Sequence, residues 1–213
     1  LNQGTTHYIR DAAEIYRQSF ETIRREADLS RFSADQQDIA IRLVHACGMV
    51  DIVDDLIISD DAVAAGRQAL AKARPIICDV EMVRRGIIRR LLPEDLPVLC
   101  EVSSEATAQL ALAQATTRSA AAMEVLCEEM AGGIVVIGNA PTALFHLLEM
   151  IDRGLAPPAL IVGIPVGFVG AVEAKDALIS DSRGVPFIAV RGRRGGSAMA
   201  AAAVNAIAGE LRA

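Results

Sequence analysis

With 213 residues, 52% of them hydrophobic, the chain can bury a substantial core and is most simply read as a single domain over 1–213. Its net charge of -6 argues against a general nucleic-acid binder, and no run is apolar for long enough to span a bilayer. The opening Leu1-Asn2-Gln3-Gly4-Thr5-Thr6 has neither the basic nor the apolar region of a signal peptide, so the expectation is a soluble cytoplasmic protein with no membrane partner and no nucleic acid.

Helical spacing of Ile9, Ala12, Tyr16, Phe20 and Ile23 predicts a first helix. Ser19 interrupts an apolar line on it, between Ile15 and Ile23. Its hydroxyl either bonds back to the backbone one turn earlier or faces a polar ligand. Ser33-Ala34-Asp35-Gln36 has the hydroxyl and amide spacing of a capping box, and Gly48 is a natural stop, which frames a second helix between them. Ile39, Leu43 and Cys47 form its apolar side with Ala40 and Val44. His45 lies off that stripe, on a boundary line with Asp38, Ile41 and Arg42. The negative end of the helix dipole favours the protonated ring, and Arg42 opposes it. On this helix alone, a structural histidine outweighs a catalytic one.

A short alanine-rich helix is expected from Asp60-Asp61-Ala62 to Lys72. Buried strands follow at Pro75–Val80 and Pro97–Val102, with a basic, irregular stretch from Glu81 to Leu92 between them. Ser103 to Met130 reads as helical with a break near Thr116-Thr117-Arg118-Ser119, where a fresh helix starts. The remainder repeats one unit three times, strand, glycine-containing turn and helix. The strands are Ile134–Ile137, Leu160–Val162 and Phe187–Val190, and the helices run over Ala143–Arg153, Ala171–Ile179 and Ala198–Leu211. Apolar strands alternating with helices predict an α/β fold of three layers, a mainly parallel sheet with helices on both faces.

In such a sheet ligands sit at the carboxyl ends of the strands, so the turns holding Asn139, Gly167 and Arg191 should line one site. Each turn feeds a helix amino terminus that attracts anions. Lysine occurs only at Lys72 and Lys175, and arginine suits fixed recognition of carboxylate or phosphate. Arg191, Arg193 and Arg194, with Lys175 and Arg118, therefore suit carboxylates spread around a large ligand, or are simply solvated. Neither Gly-x-Gly-x-x-Gly nor a Gly-Lys-Ser/Thr motif is present, which disfavours a nucleotide. Cys47, Cys78, Cys100 and Cys127 are far apart and read as reduced, buried thiols, with no metal site. His146 reads as structural, and His7 shows no partner.

Several stretches in order resemble the precorrin-8X methylmutase family of the cobalamin pathway. They are Tyr8-Ile9-Arg10-Asp11 with Ile15–Phe20, Val44-His45-Ala46-Cys47-Gly48, Cys78-Asp79, Thr117–Ala121, Gly138–Leu144, Pro165–Gly170, Glu173 with Lys175-Asp176, Arg191-Gly192 and Gly195-Gly196-Ser197. Together they cover essentially the whole chain. The resemblance implies an isomerase that moves a methyl group from carbon 11 to carbon 12 of precorrin-8X, giving hydrogenobyrinate, with no metal or organic cofactor. It implies that His45 is the proton-transferring residue and that Ser19 lies in the substrate pocket. It also implies a homodimer with sites near the interface, where Arg118 acts on the substrate. Ser119, Lys175, Arg191, Gly167 and Asn139 join it as expected substrate-binding positions. Ile88 stands where a small polar residue such as Thr is expected, and Ala174 where Ser is common. A cobalt-containing substrate and a non-catalytic corrinoid carrier are the alternatives.

Overall fold

In a computed structural model, which describes residues 8–209, six strands form one sheet: β1 (Leu56–Ile58), β2 (Ile76–Cys78), β3 (Val98–Leu99), β4 (Ile134–Ile137), β5 (Leu160–Gly163) and β6 (Phe187–Val190). Their spatial order is β1-β6-β5-β4-β2-β3, parallel throughout except for the antiparallel β1–β6 edge pair. His7 and the expected helix end at Leu211 lie outside the described residues.

The sheet separates two cores because alternate side chains leave opposite faces of a strand. Ile134 and Val136 of β4 join one core, and Val135 and Ile137 join the other. The first core is covered by α1 (Ala12–Glu26), α2 (Ala34–Cys47), α4 (Ala62–Ala71), α5 (Glu81–Gly86) and α10 (Ser197–Ala208). Over the second lie α7 (Arg118–Val125), α8 (Pro141–Asp152) and α9 (Ala171–Ser180), with α6 (Glu105–Ala113) packed on α7. The expected three layers are present, and β4 and β6 fall on the residues read from the sequence.

α2 begins at the Ser33–Gln36 capping box, with both of its hydrogen bonds made, and ends at Gly48, which is left-handed at φ 69°. α10, seven of whose twelve residues are alanine, is buried over most of its length and packs most extensively on α2. Small side chains let the two helix axes approach and leave room on the outer side.

Two expectations change, and one segment left unassigned from the sequence gains structure. Glu81–Leu92 is not irregular: it holds α5 and a 3-10 turn at Arg89–Leu91, because α5 gains an α10 surface to pack on that no local pattern reveals. Asp51–Ser59 contains the short helix α3 (Ile52–Asp55) and the edge strand β1, whose partner β6 lies far along the chain. Of the four cysteines, all free, only Cys78 is buried; Cys47, Cys100 and Cys127 are half-buried. Among the described residues no helix is long and apolar enough to cross a membrane.

Candidate functional site

His45 occupies the last turn of α2 and faces α1. Its Nδ1 lies 2.9 Å from the half-buried Ser19 hydroxyl, so that hydroxyl bonds the imidazole rather than its own backbone one turn earlier. The ring lies 5.3 Å from each of the Tyr16 and Phe20 rings, tilted to the first and edge-on to the second. This encloses the imidazole on the α1 side and commits Nδ1, leaving Nε2 as the nitrogen open to a ligand.

A cavity of about 240 Å³ runs along this edge, lined by His45 and Arg42 of α2, Tyr16 of α1, Ile88, and Ala201 and Asn205 of α10. Ala198 and Ala202 add to its flat α10 floor. Asn205 is committed to the frame, accepting from the Ile88 N–H at 2.8 Å and donating to the Gly86 carbonyl at 3.0 Å. Ile88 thus holds the loop by its backbone and shows the cavity only an apolar side chain. Ala174, the other departure from the family pattern, is fully buried in the opposite core.

Partial burial lowers the pKa of His45 below its ordinary 6.5, and the Arg42 guanidinium one turn back lowers it further. The sequence expectation had the dipole and Arg42 in opposition; desolvation joins Arg42, and both favour the neutral ring. A neutral ring held at Nδ1 has two tautomers, and the Ser19 hydroxyl serves both by accepting from Nδ1–H or donating to bare Nδ1. Nε2 is correspondingly a proton acceptor or a donor.

At the carboxyl ends of the strands the three turns do lie side by side. The Gly167 N–H donates to the Arg193 carbonyl at 3.2 Å and the Gly196 N–H to the Ile164 carbonyl at 2.9 Å. A Cβ on Gly195 would stand 2.5 Å from the Ile164 carbonyl oxygen, so only glycine allows the second and third turns to meet. Their polar groups are largely occupied from within. Asp79, fully buried at the end of β2, accepts from the N–H groups of Gly138, Asn139 and Ala140 at 2.8–3.0 Å. Lys175 is fully buried and donates to the Arg194 carbonyl at 2.7 Å. Arg194 pairs with Asp51 and Asp55, and Arg193 stacks over Phe168 at 5.4 Å.

Of the expected site residues, one chain brings only Ser19 and His45 into contact. Asn139, Gly167 and Arg191 sit at the strand ends, with the Asn139 and Arg191 side chains exposed. Arg118 and Ser119 open α7 in the layer beyond the sheet; Arg118 is exposed and Ser119 buried. The hydroxyls of Thr117 and Thr142, 2.8 Å apart, tie that helix start to the start of α8. His146, expected to be structural, has Nε2 2.8 Å from Glu124 across α7 and α8. Among the described residues no cluster of three or more His, Cys, Asp or Glu is placed to hold a metal ion. Sequence reasoning missed Tyr16, Phe20 and Arg42 as site residues. The first two share one helical face with Ser19's neighbours and looked like ordinary core.

Residues 14–210 match the family model described as precorrin-8X methylmutase. The precorrin-8X methylmutase of Pseudomonas aeruginosa is 58% identical over 203 residues, covering 95% of this chain and 98% of that one. That of a Sinorhizobium species is 54% identical over 201 residues, with coverage of 94% and 96%. The cobalt-precorrin-8 methylmutase of Priestia megaterium is 36% identical over 195 residues, covering 91% and 86%. A solved structure, the precorrin-8x methyl mutase from Thermus thermophilus, superposes with a TM-score of 0.83 at 35% identity, covering 92% of this chain and 94% of its own.

Proposed function

The chain belongs to the precorrin-8X methylmutase family, isomerases of cobalamin biosynthesis, and from that premise we propose that His45 is the proton-transferring residue acting on the edge of precorrin-8X seated in the α1–α2–α10 cavity. The single observation that carries this reading is the 2.9 Å contact between Ser19 and His45 Nδ1, which orients the ring and leaves Nε2 at the cavity. A proton passed between Nε2 and the macrocycle near ring C triggers migration of the methyl group from carbon 11 to carbon 12. The proton is then returned, so hydrogenobyrinate has the composition of its precursor and no second substrate is consumed. General acid–base catalysis of this kind contributes typically about 10²–10⁴-fold in rate.

The metal-free substrate is favoured over cobalt-precorrin-8 by the higher identity to relatives named for precorrin-8X than to the Priestia protein. The active unit of this reading is a homodimer. At about 240 Å³ the cavity falls below the roughly 300–1,000 Å³ of ordinary small-ligand pockets, so one chain receives only an edge of a tetrapyrrole. Arg118, in the layer beyond the sheet, is then supplied to this cavity by a second copy, with Ser119, Asn139, Gly167 and Arg191 around it. Lys175 contributes by holding the Arg191–Gly196 turn in place.

Mixing two variants tests both parts. His45→Ala and Arg118→Ala should each lose nearly all conversion of precorrin-8X, followed by absorbance. Their reassembled mixture should regain about a quarter of wild-type activity, because half of the dimers then hold one intact shared site. Full activity of His45→Ala would exclude the proton-transfer role, and a mixture no better than its components would exclude the shared site. Retained binding of hydrogenobyrinate without turnover by the wild type would instead indicate a corrinoid carrier.

A further inference from the structure

α10 shows the cavity one stripe of its surface, Ala198, Ala201, Ala202 and Asn205, at the spacing that places side chains on a single helical face. The alanines form the flat floor. Asn205 is a buried amide in the interior of a helix, 7% exposed, and asparagine there is both a poor helix former and costly to desolvate. What it gains is a grip on another segment of the chain. Its Oδ1 accepts from the Ile88 N–H at 2.8 Å, and its Nδ2 donates to the Gly86 carbonyl at 3.0 Å. Ile87 between them is extended, at φ -76° and ψ 124°, and in that conformation the carbonyl before a residue and the N–H after it point to the same side. One side-chain amide therefore pairs with Gly86–Ile88 much as a neighbouring strand would.

The same segment is fixed by its other contacts. A Cβ on Gly86 would stand 2.8 Å from the Ala201 Cβ, so the backbone lies directly on α10, an approach that glycine alone permits. On the flanks, Arg84 Nε donates to the Val98 carbonyl at 3.1 Å and Arg89 donates to the Leu96 carbonyl at 2.8 Å. These bonds clamp both ends of the segment to β3 and the turn before it. Gly86–Ile88 is thus a strap held at each end, with Asn205 fastening its middle, and Ile88 lines the cavity that His45 also lines.

We propose that Asn205 is a positioning residue for the methyl shift: by fastening the Gly86–Ile88 strap to α10 it sets the Ile88 wall against the alanine floor, and that wall fixes how far the ring edge enters beside His45 Nε2. This rests on the functional reading above and adds to it the element that sets the register of the substrate. Both ends of the Asn205 amide are used within the protein, so its effect passes through the strap. A flat apolar macrocycle on an alanine floor meets no directional contact there, and a fixed wall supplies the stop. Displacing reacting atoms by about 1 Å can cost about 100-fold in rate, whereas an apolar floor of unchanged area keeps most of the binding. Release of the strap therefore lowers turnover far more than affinity.

The test compares wild type with Asn205→Leu, which keeps the branched shape and removes both hydrogen bonds. It measures kcat and KM for precorrin-8X and hydrogenobyrinate affinity by absorbance, and exchange of the Ile88 amide by NMR. In Asn205→Leu the Ile88 N–H should exchange about 10-fold faster or more, as expected of a locally released segment. Its kcat should fall roughly 10- to 100-fold, with KM and hydrogenobyrinate affinity within about 3-fold of wild type. The pH dependence of kcat should keep its wild-type midpoint, because the Asn205 amide is bonded to the strap and not to the imidazole. A helix-packing role alone would lower the unfolding midpoint and leave kcat unchanged. Gly86→Ala leaves Asn205 in place and lifts the strap off Ala201; it should reproduce the split between kcat and KM, and it carries the test where Asn205→Leu fails to fold. Wild-type kcat in either folded variant, equal losses of kcat and affinity, or an unchanged Ile88 exchange rate in Asn205→Leu would overturn the role of Asn205 while leaving the functional reading intact. Absence of conversion by wild type would overturn both.

Discussion

The crevice at the strand ends and the cavity beside His45 both combine arginine with a second ionisable side chain, Lys175 in one and His45 in the other. They differ in whether those groups already have partners. At the strand ends Asp79 saturates three N–H groups of the first turn, Lys175 holds the carbonyl of Arg194, and Arg194 itself is paired with Asp51 and Asp55. In the His45 cavity one imidazole nitrogen and the Arg42 Nε stay uncommitted. A polar cluster that satisfies itself makes a rigid frame, and one left incomplete is completed by a ligand. The glycine-rich turns therefore act first as scaffold, although their position at the strand ends suggested a site.

The sharpest way to break this contrast is Asp79→Ala. It strands three backbone donors, one of them buried and two partly so, and should cost about 2–4 kcal/mol in urea unfolding. A loss under about 0.5 kcal/mol would show that water replaces the carboxylate easily and that the first turn is available to an anionic ligand.

Lys175 gives the next effect, through pH. Burial lowers its pKa from 10.5 to about 8, against the pull of Asp176 and Asp55. Between about pH 8 and 10.5 the unfolded chain holds a proton that the folded chain has released, so this group makes stability rise with pH across that window and contributes no slope below it. The difference in unfolding free energy between wild type and Lys175→Met should therefore shift in favour of wild type from pH 8 to 10.5. A difference that stays flat would place Lys175 in water, free to meet substrate.

Ser19→Ala should have the smallest effect and appear only in catalysis. Loss of one hydrogen bond to Nδ1 corresponds to about 0.5–1.5 kcal/mol, a fall in kcat of up to about 10-fold, with an unfolding midpoint close to wild type. A stability loss without a kinetic one would turn the Ser19–His45 contact into a helix-packing device and remove the contrast with the strand ends.

How legible the molecule was in its sequence follows the range of the interactions involved. The Ser33–Gln36 capping box, the Gly48 stop and the Thr117 helix start depend on residues within four positions, and each occurs where its local chemistry places it. Strands β4 and β6 were legible because fully buried parallel strands read as unbroken apolar runs. The layer arrangement followed from their alternation with helices. α5 and β1 were not legible, since each is stabilised by a surface distant in sequence, α10 for one and β6 for the other. His45 itself stood out only through the ordered motifs around it, because a histidine in a last helical turn is commonplace.

The sequence by itself thus determined most of the helices and strands, the two-faced sheet and, through its motifs, the family and the candidate acid–base residue. Only the tertiary structure decided which charges remain available. Whether an aspartate saturates a turn, a lysine is buried against a carbonyl, or an arginine is left without an acceptor depends on segments tens of residues apart being brought within 3 Å, as Asp79 and Gly138 are at 3.0 Å. Hydrogen bonds and desolvation act at that distance, and local residue pattern carries almost no information about them.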